Sequence, residues 1–463
     1  MADKPLLANR YCLNQVIGEG AYGVVASAQD VVTGDVVAVK RIKRVLDTYA
    51  MATRILRELK FLRLLRGHNN VIEVKDILVP SDRERFNDTF VVFELMPCDL
   101  SSVIRSTAPL NPANVKYLMF QLLRGIQYLH TAGVLHRDLK PSNILVDSKC
   151  SLKICDFGLA RAAFRAENDA DLVLWTEYVA TRWYRAPELI MPHENNYGRA
   201  IDVWSAGCIF AEMLLRSPLL PGGDAIDQLR RITEFTGTPT LDVISRLRNP
   251  KAQQYLKSVK PKPPTDLNTI FAPGTDPEAL QLIKAMLEFD PQKRITAYDA
   301  LMTNYFKEWR DPLGFGPRPR DLTEKEFDFE KRLGMNKIDG LAYIRRELLE
   351  EILFYHPEKR DELYGNGPSY EVESQAAGFA KAMDNQRKGF NAAVPAKSMP
   401  KDAMKNIVLS QTERRNAAMK HGRAPTVPSE VMRQYENQMD TSETPRPGET
   451  PQQGENEDAA MQG

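Results

Sequence analysis

The chain has 463 residues, with 62 Lys and Arg against 61 Asp and Glu and a formal net charge of +1. That length exceeds one ordinary domain, so two compact bodies with appended segments are expected. The even charge balance gives no overall support to nucleic-acid binding or membrane-surface adsorption, and no apolar run reaches the length of a membrane span.

Near the amino terminus only Leu6-Leu7 interrupts polar residues, so no secretory signal is expected there. No glycine follows Met1 and Met461-Gln462-Gly463 is not a prenylation box, so no lipid anchor is expected either. Five cysteines, Cys12, Cys98, Cys150, Cys155 and Cys208, lack paired metal-ligand spacing. Free, mostly buried thiols in a reducing compartment are the expectation.

From Tyr11 to Val39 Val- and Ile-rich runs are punctuated by glycines, which predicts consecutive antiparallel strands. The run Gly18-Glu19-Gly20-Ala21-Tyr22-Gly23-Val24-Val25 suits a loop whose backbone amides close over a nucleotide's phosphates. A turn-rich hairpin would show the same glycines. Ala38-Val39-Lys40 ends the next strand on a lysine, and Ile55, Leu59, Leu62 and Leu65 predict a helix containing Glu58. Lys40 and Glu58 either pair to position a nucleotide or are separate solvated charges; their order after a glycine loop favours the pair.

Phe90-Val91-Val92-Phe93 predicts a buried strand, broken at Glu94-Leu95-Met96-Pro97 by a hinge between two lobes. Phe93 fits the back of a nucleotide pocket as well as an ordinary core. Asp99 fits two roles equally, accepting from a ribose hydroxyl or capping the helix that follows.

Val115 to Leu129 predicts a buried helix of a second, mostly helical lobe, leading to Val134-Leu135-His136-Arg137-Asp138-Leu139-Lys140-Pro141-Ser142-Asn143-Ile144-Leu145. Phosphoryl transfer needs a carboxylate to orient the attacking hydroxyl, metal ligands, and positive charge near the moving group. Asp138 suits the first, Asn143 with Asp156 the second, and Lys140 the third. His136 has no nearby His or Cys and is read as a structural histidine. The segment from Asp156-Phe157-Gly158 to Ala186-Pro187-Glu188 encloses Thr176-Glu177-Tyr178, hydroxyls placed where an activating phosphate would go.

On these motifs the region from Tyr11 to about Tyr355 resembles a eukaryotic protein kinase, specifically a mitogen-activated protein (MAP) kinase of the extracellular-signal-regulated branch. Thr176-Glu177-Tyr178 followed by Val179-Ala180-Thr181-Arg182-Trp183-Tyr184-Arg185-Ala186-Pro187-Glu188 carries that likeness, and Lys140-Pro141-Ser142-Asn143 resembles the serine/threonine pattern. The resemblance implies an α+β, bilobal kinase fold. Residues 1–95 would form a small antiparallel-sheet lobe with one key helix, and 96–310 a larger helical lobe with an insert at about 240–264. Residues 311–357 would pack back on the kinase, and 358–463 would be a disordered tail.

It further implies ATP and Mg2+ as cofactors. The nucleotide site would be lined by Gly18, Glu19, Gly20, Ala21, Tyr22, Gly23, Val25, Ala38, Lys40, Glu94, Met96, Asp99 and Leu145. Lys40, Glu58, Asp138 and Lys140 would be catalytic, and Asn143 and Asp156 would hold metal. Phosphates would be received at Thr176 and Tyr178. Arg57, Arg137 and Arg161 would read the first and Arg182 and Arg185 the second, because a phosphate of about −1.5 to −2 charges needs arginines around it. Glu188 would pair with Arg294, and Asp202 would fix the catalytic-loop backbone from inside the helix that it opens.

The expected partners are an upstream dual-specificity MAP kinase kinase, substrates with Ser-Pro or Thr-Pro sites, phosphatases and docking-motif proteins, in the cytoplasm and nucleus. Proline suits the site near Val179 to Arg182 because it has no amide donor to leave unpaired.

Two departures stand out. After Asp311-Pro312 the family's usual further acids are replaced by Leu313-Gly314-Phe315-Gly316-Pro317-Arg318-Pro319-Arg320, and Phe164 to Trp175 is longer than the usual spacer. Beyond these, Leu341, Ile344, Leu348, Ile352 and Tyr355 predict an amphipathic helix that stops before Pro357. From about Gly365 apolar periodicity fades and disorder is expected; Lys401, Lys405, Ile407 and Leu409 resemble a docking peptide only loosely and read better as a short transient helix, and Thr444-Pro445 and Thr450-Pro451 are proline-directed sites in the tail.

Two rival readings remain. A cyclin-dependent-type kinase shares Phe93-Glu94-Leu95 but not Tyr178 beside Thr176. A pseudokinase is disfavoured because Lys40, Glu58, Asp138, Asn143 and Asp156 are all present.

Overall fold

Strand β1 (Leu6–Leu7), β2 (Tyr11–Gly20), β3 (Gly23–Asp30) and β4 (Val36–Ile42) follow the glycine punctuation of the first forty residues. With β5 (Val74–Ile77) and β6 (Thr89–Glu94) they make a six-stranded sheet in the order β1-β2-β3-β4-β6-β5, every pair antiparallel. The structure, a computed structural model, describes residues 5–20, 23–80, 82, 86–162, 181–190, 198–247, 250–310, 319, 322–331, 337–361 and 370–392, which fall in the unit Met1–Gln411. Gly23 is required by close approach: a Cβ there would lie 1.8 Å from the Arg41 carbonyl oxygen on β4. Gly18 is under no such pressure, since the nearest protein atom to a Cβ would be Val25 Cβ at 3.9 Å.

Helix α1 (Tyr49–Leu64) starts where Thr48 accepts a hydrogen bond from the Met51 amide, and buries Ile55, Leu56, Leu59 and Leu62 against the sheet's inner face. Chain leaves the sheet through β6, enters β7 (Cys98–Asp99) and opens the helical lobe. That lobe contains α2 (Leu100–Arg105), α3 (Pro112–Thr131), α4 (Pro187–Ile190), α5 (Ala200–Leu215), α6 (Ala225–Thr236), α7 (Leu241–Ser245), α8 (Pro250–Ser258), α9 (Pro277–Met286) and α10 (Ala297–Leu301). The short strands β8 (Val134–Leu135), β9 (Ile144–Val146), β10 (Leu152–Ile154) and β11 (Arg161–Ala162) carry the loops of the cleft. A bilobal α+β arrangement is therefore present as the motifs led one to expect. The insert forms α7 and α8 and is anchored, with Val243, Ile244, Leu247 and Leu256 each 4% exposed or less.

After α11 (Asp328–Lys331), helix α12 (Lys337–Tyr355) returns along α1, burying Ile344, Leu348 and Ile352. Its Glu351 accepts from Lys60 Nζ at 2.9 Å and from Arg63 Nε at 2.6 Å, so the contact is charged as well as apolar.

The expectation of disorder from Gly365 onward needs correction. A helix, α13 (Tyr370–Ala392), lies on the outer face of the sheet and buries Phe379, Ala380 and Met383 there. Its weak apolar periodicity hid it, because a helix that contributes only a few large side chains draws its stability from the surface it covers. The loosely docking-like residues and the tail threonines lie outside the described residues.

Candidate active site

Lys40 sits on β4 between Val25 of β3 and Val91 of β6, which holds its side chain over the cleft. Its Nζ donates to Glu58 Oε1 of α1 at 2.9 Å. Burial acts to lower the Lys40 pKa, but the carboxylates of Glu58 and Asp156 outweigh it, so the ammonium is held above the ordinary lysine value. Of the two readings of this pair, the ion pair is the one present.

Opposite it, the catalytic-loop residues are held by one buried carboxylate. Asp202 of α5, 0% exposed, accepts from the amides of His136 (2.9 Å) and Arg137 (2.8 Å) and contacts His130 Nε2 at 3.0 Å. Burial acts to raise the Asp202 pKa, and these bonds with the nearby histidines bring it below the ordinary value. Arg137 takes a positive φ of 69°, a conformation that the two amide bonds to Asp202 help to fix. His136 is structural as read from its isolation: Nε2 lies 3.1 Å from the Cys155 carbonyl oxygen, and Nδ1 accepts from the Asp138 amide at 3.3 Å.

Asp138 Oδ2 lies 2.7 Å from Lys140 Nζ and 3.1 Å from Asn143 Nδ2. Because Nδ2 is committed to Asp138, Asn143 has Oδ1 to offer a cation. Asp156 stands at a positive φ of 65° and comes 3.7 Å from Arg54. Burial acts to raise its pKa, yet Lys40, Arg54, His136 and Lys140 together hold it below the ordinary value and therefore ionised. An amide oxygen and a carboxylate are hard oxygen donors that fit Mg2+, which takes few protein ligands and completes its shell with phosphate and water. Among the described residues no group of three or more His, Cys, Asp or Glu is placed to hold a metal ion.

Of the remaining nucleotide-site residues, Ala38 is buried and Val25, Met96 and Leu145 are half-buried along the cleft walls. Glu94 is committed through its carboxylate to the Glu73 amide (2.9 Å) and Lys153 (2.8 Å). Asp99 caps α2, accepting from the Ser102 amide at 2.8 Å and its hydroxyl at 3.0 Å, so the capping role is realised here. Gly18, Glu19, Gly20 and Gly23 fall at the β2–β3 turn; Ala21 and Tyr22 lie outside the described residues, as do Thr176, Tyr178, Val179, Ala180 and Asp311.

Two of the arginines expected to read phospho-Thr176 donate to protein acceptors. Arg57 of α1 donates to Glu330 and to the Gly158 carbonyl oxygen at 3.0 Å, and Arg161 donates to the Ala160 carbonyl oxygen at 2.9 Å. Arg182 lies in a short 3-10 turn, Arg182–Tyr184, that Arg185 closes. The Glu188–Arg294 pair is present, with contacts of 2.6 and 3.0 Å and both side chains at most 1% exposed. Sequence reasoning missed Glu330, and missed the bracing of Tyr184 by Glu212 (2.7 Å) and Ser205 (2.7 Å). Polar residues inside the very apolar α5 are the signal that could have found the last two.

Residues 11–306 match the protein kinase domain family. The chain is 47% identical over 383 residues to mitogen-activated protein kinase 14 of Oryza sativa subsp. japonica, covering 82% of this chain and 68% of that protein. It is 49% identical over 361 residues to mitogen-activated protein kinase 8 of Arabidopsis thaliana, 78% of this chain but 59% of that one. With mitogen-activated protein kinase 8 of Oryza sativa subsp. japonica it shares 43% identity over 446 residues, 96% of this chain and 74% of the relative. The chain belongs to the mitogen-activated protein kinase family. This MAP kinase is a serine/threonine protein kinase, and use of ATP and Mg2+ is general to that family.

Proposed function

We propose that this MAP kinase transfers the γ-phosphoryl group of ATP to serine or threonine hydroxyls followed by proline, and that phosphate on Thr176 and Tyr178 switches it on. The observation that carries the reading is the 2.9 Å closure of Lys40 on Glu58 across the cleft from Asp138, Asn143 and Asp156. Lys40 would neutralise the α- and β-phosphates under the glycine-rich turn, while Val25, Ala38, Met96 and Leu145 enclose the base. Asn143 and Asp156 would hold Mg2+, which supplies charge neutralisation at the phosphates. Asp138 orients the attacking hydroxyl and takes its proton as the oxygen bonds to the γ-phosphorus and ADP departs. Lys140, 2.7 Å from Asp138, places positive charge beside the moving group.

In the activated enzyme Arg57, Arg137 and Arg161 would read phospho-Thr176, with Arg57 exchanging Glu330 for the phosphate, and Arg182 and Arg185 would read phospho-Tyr178. An upstream dual-specificity kinase, phosphatases and docking-motif proteins are the partners that this control calls for. The test is Mg-ATP turnover on paired peptides, Ser-Pro against Ser-Ala, before and after dual phosphorylation. A strong preference for Ser-Pro and loss of activation in the Thr176→Ala, Tyr178→Phe variant are expected; equal rates on the two peptides, or a fully active double variant, would sink the reading.

A further inference from the structure

The outer face of the small-lobe sheet is apolar. Val24, Ala26, Val37, Val39 and Val92 all point there, alternating with residues turned toward the cleft, and α13 covers them with Phe379 and Met383. At the margin of this contact the helix turns polar. Asp384 accepts from Lys43 Nζ at 2.6 Å and Arg41 Nη1 at 2.9 Å, either side of the strand end that bears Lys40.

The next polar contacts reach β2. Strand β1 pairs with β2 at Tyr11 and Cys12, and the Leu13 amide donates to the Pro5 carbonyl oxygen at 3.1 Å, so past Leu13 that side of β2 is a sheet edge among the described strands. Gln386 fills it. Its Oε1 accepts from the Val16 amide at 2.8 Å and its Nε2 donates to the Asn14 carbonyl oxygen at 3.4 Å. One carboxamide thus serves the Val16 amide and the Asn14 carbonyl, two residues apart on one strand edge, as the C=O and N–H of one residue in a parallel neighbouring strand would. One residue on, Arg387 forms an ion pair with Glu19, between Gly18 and Gly20.

We propose that α13 is a built-in strap that positions the glycine-rich turn for nucleotide, with Gln386 and Arg387 as its positioning residues. The inference rests on the phosphate-cradling role proposed above for Gly18 to Gly23. A glycine-rich turn loses more conformational freedom on ordering than other chain, and tethering its strand in advance removes part of that cost from the binding step. Gln386 bonds the backbone of β2 directly and carries the larger share. The Arg387–Glu19 pair is partly exposed, 37% and 27%, so salt screens it.

The test measures Mg-ATP dissociation constants by calorimetry on the full chain, with hydrogen exchange over residues 13–20 and the thermal midpoint as companions. Gln386→Leu should weaken ATP binding on the order of three- to tenfold and speed exchange over that stretch. Arg387→Ala should weaken it about twofold at low salt, with recovery in Arg387→Lys. Thermal midpoints should be unchanged, because both side chains lie outside the buried Phe379–Met383 contact. Unchanged ATP affinity in Gln386→Leu overturns the strap and leaves the cleft's assignment intact. Weakened binding that appears only together with a lowered midpoint also overturns it, by making Gln386 a folding contact. A wild-type chain that does not bind Mg-ATP overturns both.

Discussion

Arg57 of α1 and Glu330 of the segment after the helical lobe form a buried ion pair, each side chain 6% exposed or less. Breaking one half of such a pair strands the other charge away from water, so Glu330→Ala should cost on the order of 3–5 kcal/mol. A matched Arg57→Met, Glu330→Met variant should recover most of it. Denaturant unfolding of the two variants beside the wild type checks this, and a double variant no better than the single would show that the pair is not the unit at stake.

Glu188 and Arg294 make a second buried pair, and Arg294 also donates to the carbonyl oxygens of Ala200, Glu288 and Phe289. Arg294→Lys keeps the charge but loses the planar fork that meets two carboxylate oxygens and three carbonyls. It should destabilise nearly as much as Arg294→Ala, on the order of 3 kcal/mol. Unfolding midpoints within error of the wild type for the lysine variant would contradict this.

The Asp138–Lys140 contact of 2.7 Å predicts a separation of roles. Lys140→Ala should lower kcat about 10²- to 10³-fold with ATP binding largely kept, since its charge serves the transition state. Lys40→Ala should weaken ATP binding itself. Stopped-time phosphorylation assays alongside ATP calorimetry distinguish the two; equal losses of affinity in both variants would refute the division.

His356, just past α12, lies 2.7 Å from Asp76 of β5 and thereby clasps the returning segment to the sheet. The bond to Asp76 chiefly raises the His356 pKa above 6.5, against the lowering effect of burial, with Glu358 adding a smaller charge effect. Asp76 is also faced by Tyr11 and Arg10, and although burial acts to raise its pKa, its partners bring it below the ordinary carboxylate value. A folded-state histidine pKa above its unfolded value contributes stability that is complete below about pH 6.5 and lost as pH rises through the folded pKa. Unfolding free energy should therefore decline on that alkaline side, and His356→Gln should flatten the decline. Identical pH profiles for wild type and variant would remove the clasp.

Much of the site was legible from contiguous residues. Asp138, Lys140 and Asn143 fall within one short loop, and Lys40 and Glu58 follow from a strand and a helix whose apolar periodicities are local. The role of Asp99 was open because one carboxylate suits two partners, and its contacts with Ser102 are visible only in the folded chain. Glu330 was missed because nothing near it in sequence marks a charge as buried.

The sequence by itself determined the order of the motifs and the chemistry each can perform, because those depend on residue type and spacing within a few turns of chain. Only the tertiary structure decided which distant residues complete them: Glu330 for Arg57, 273 positions away, and Gln386 for Val16, 370 positions away. The physical reason is that α13 and these pairs exist by virtue of surfaces, a sheet face and a strand edge, that arise only once the rest of the chain has folded.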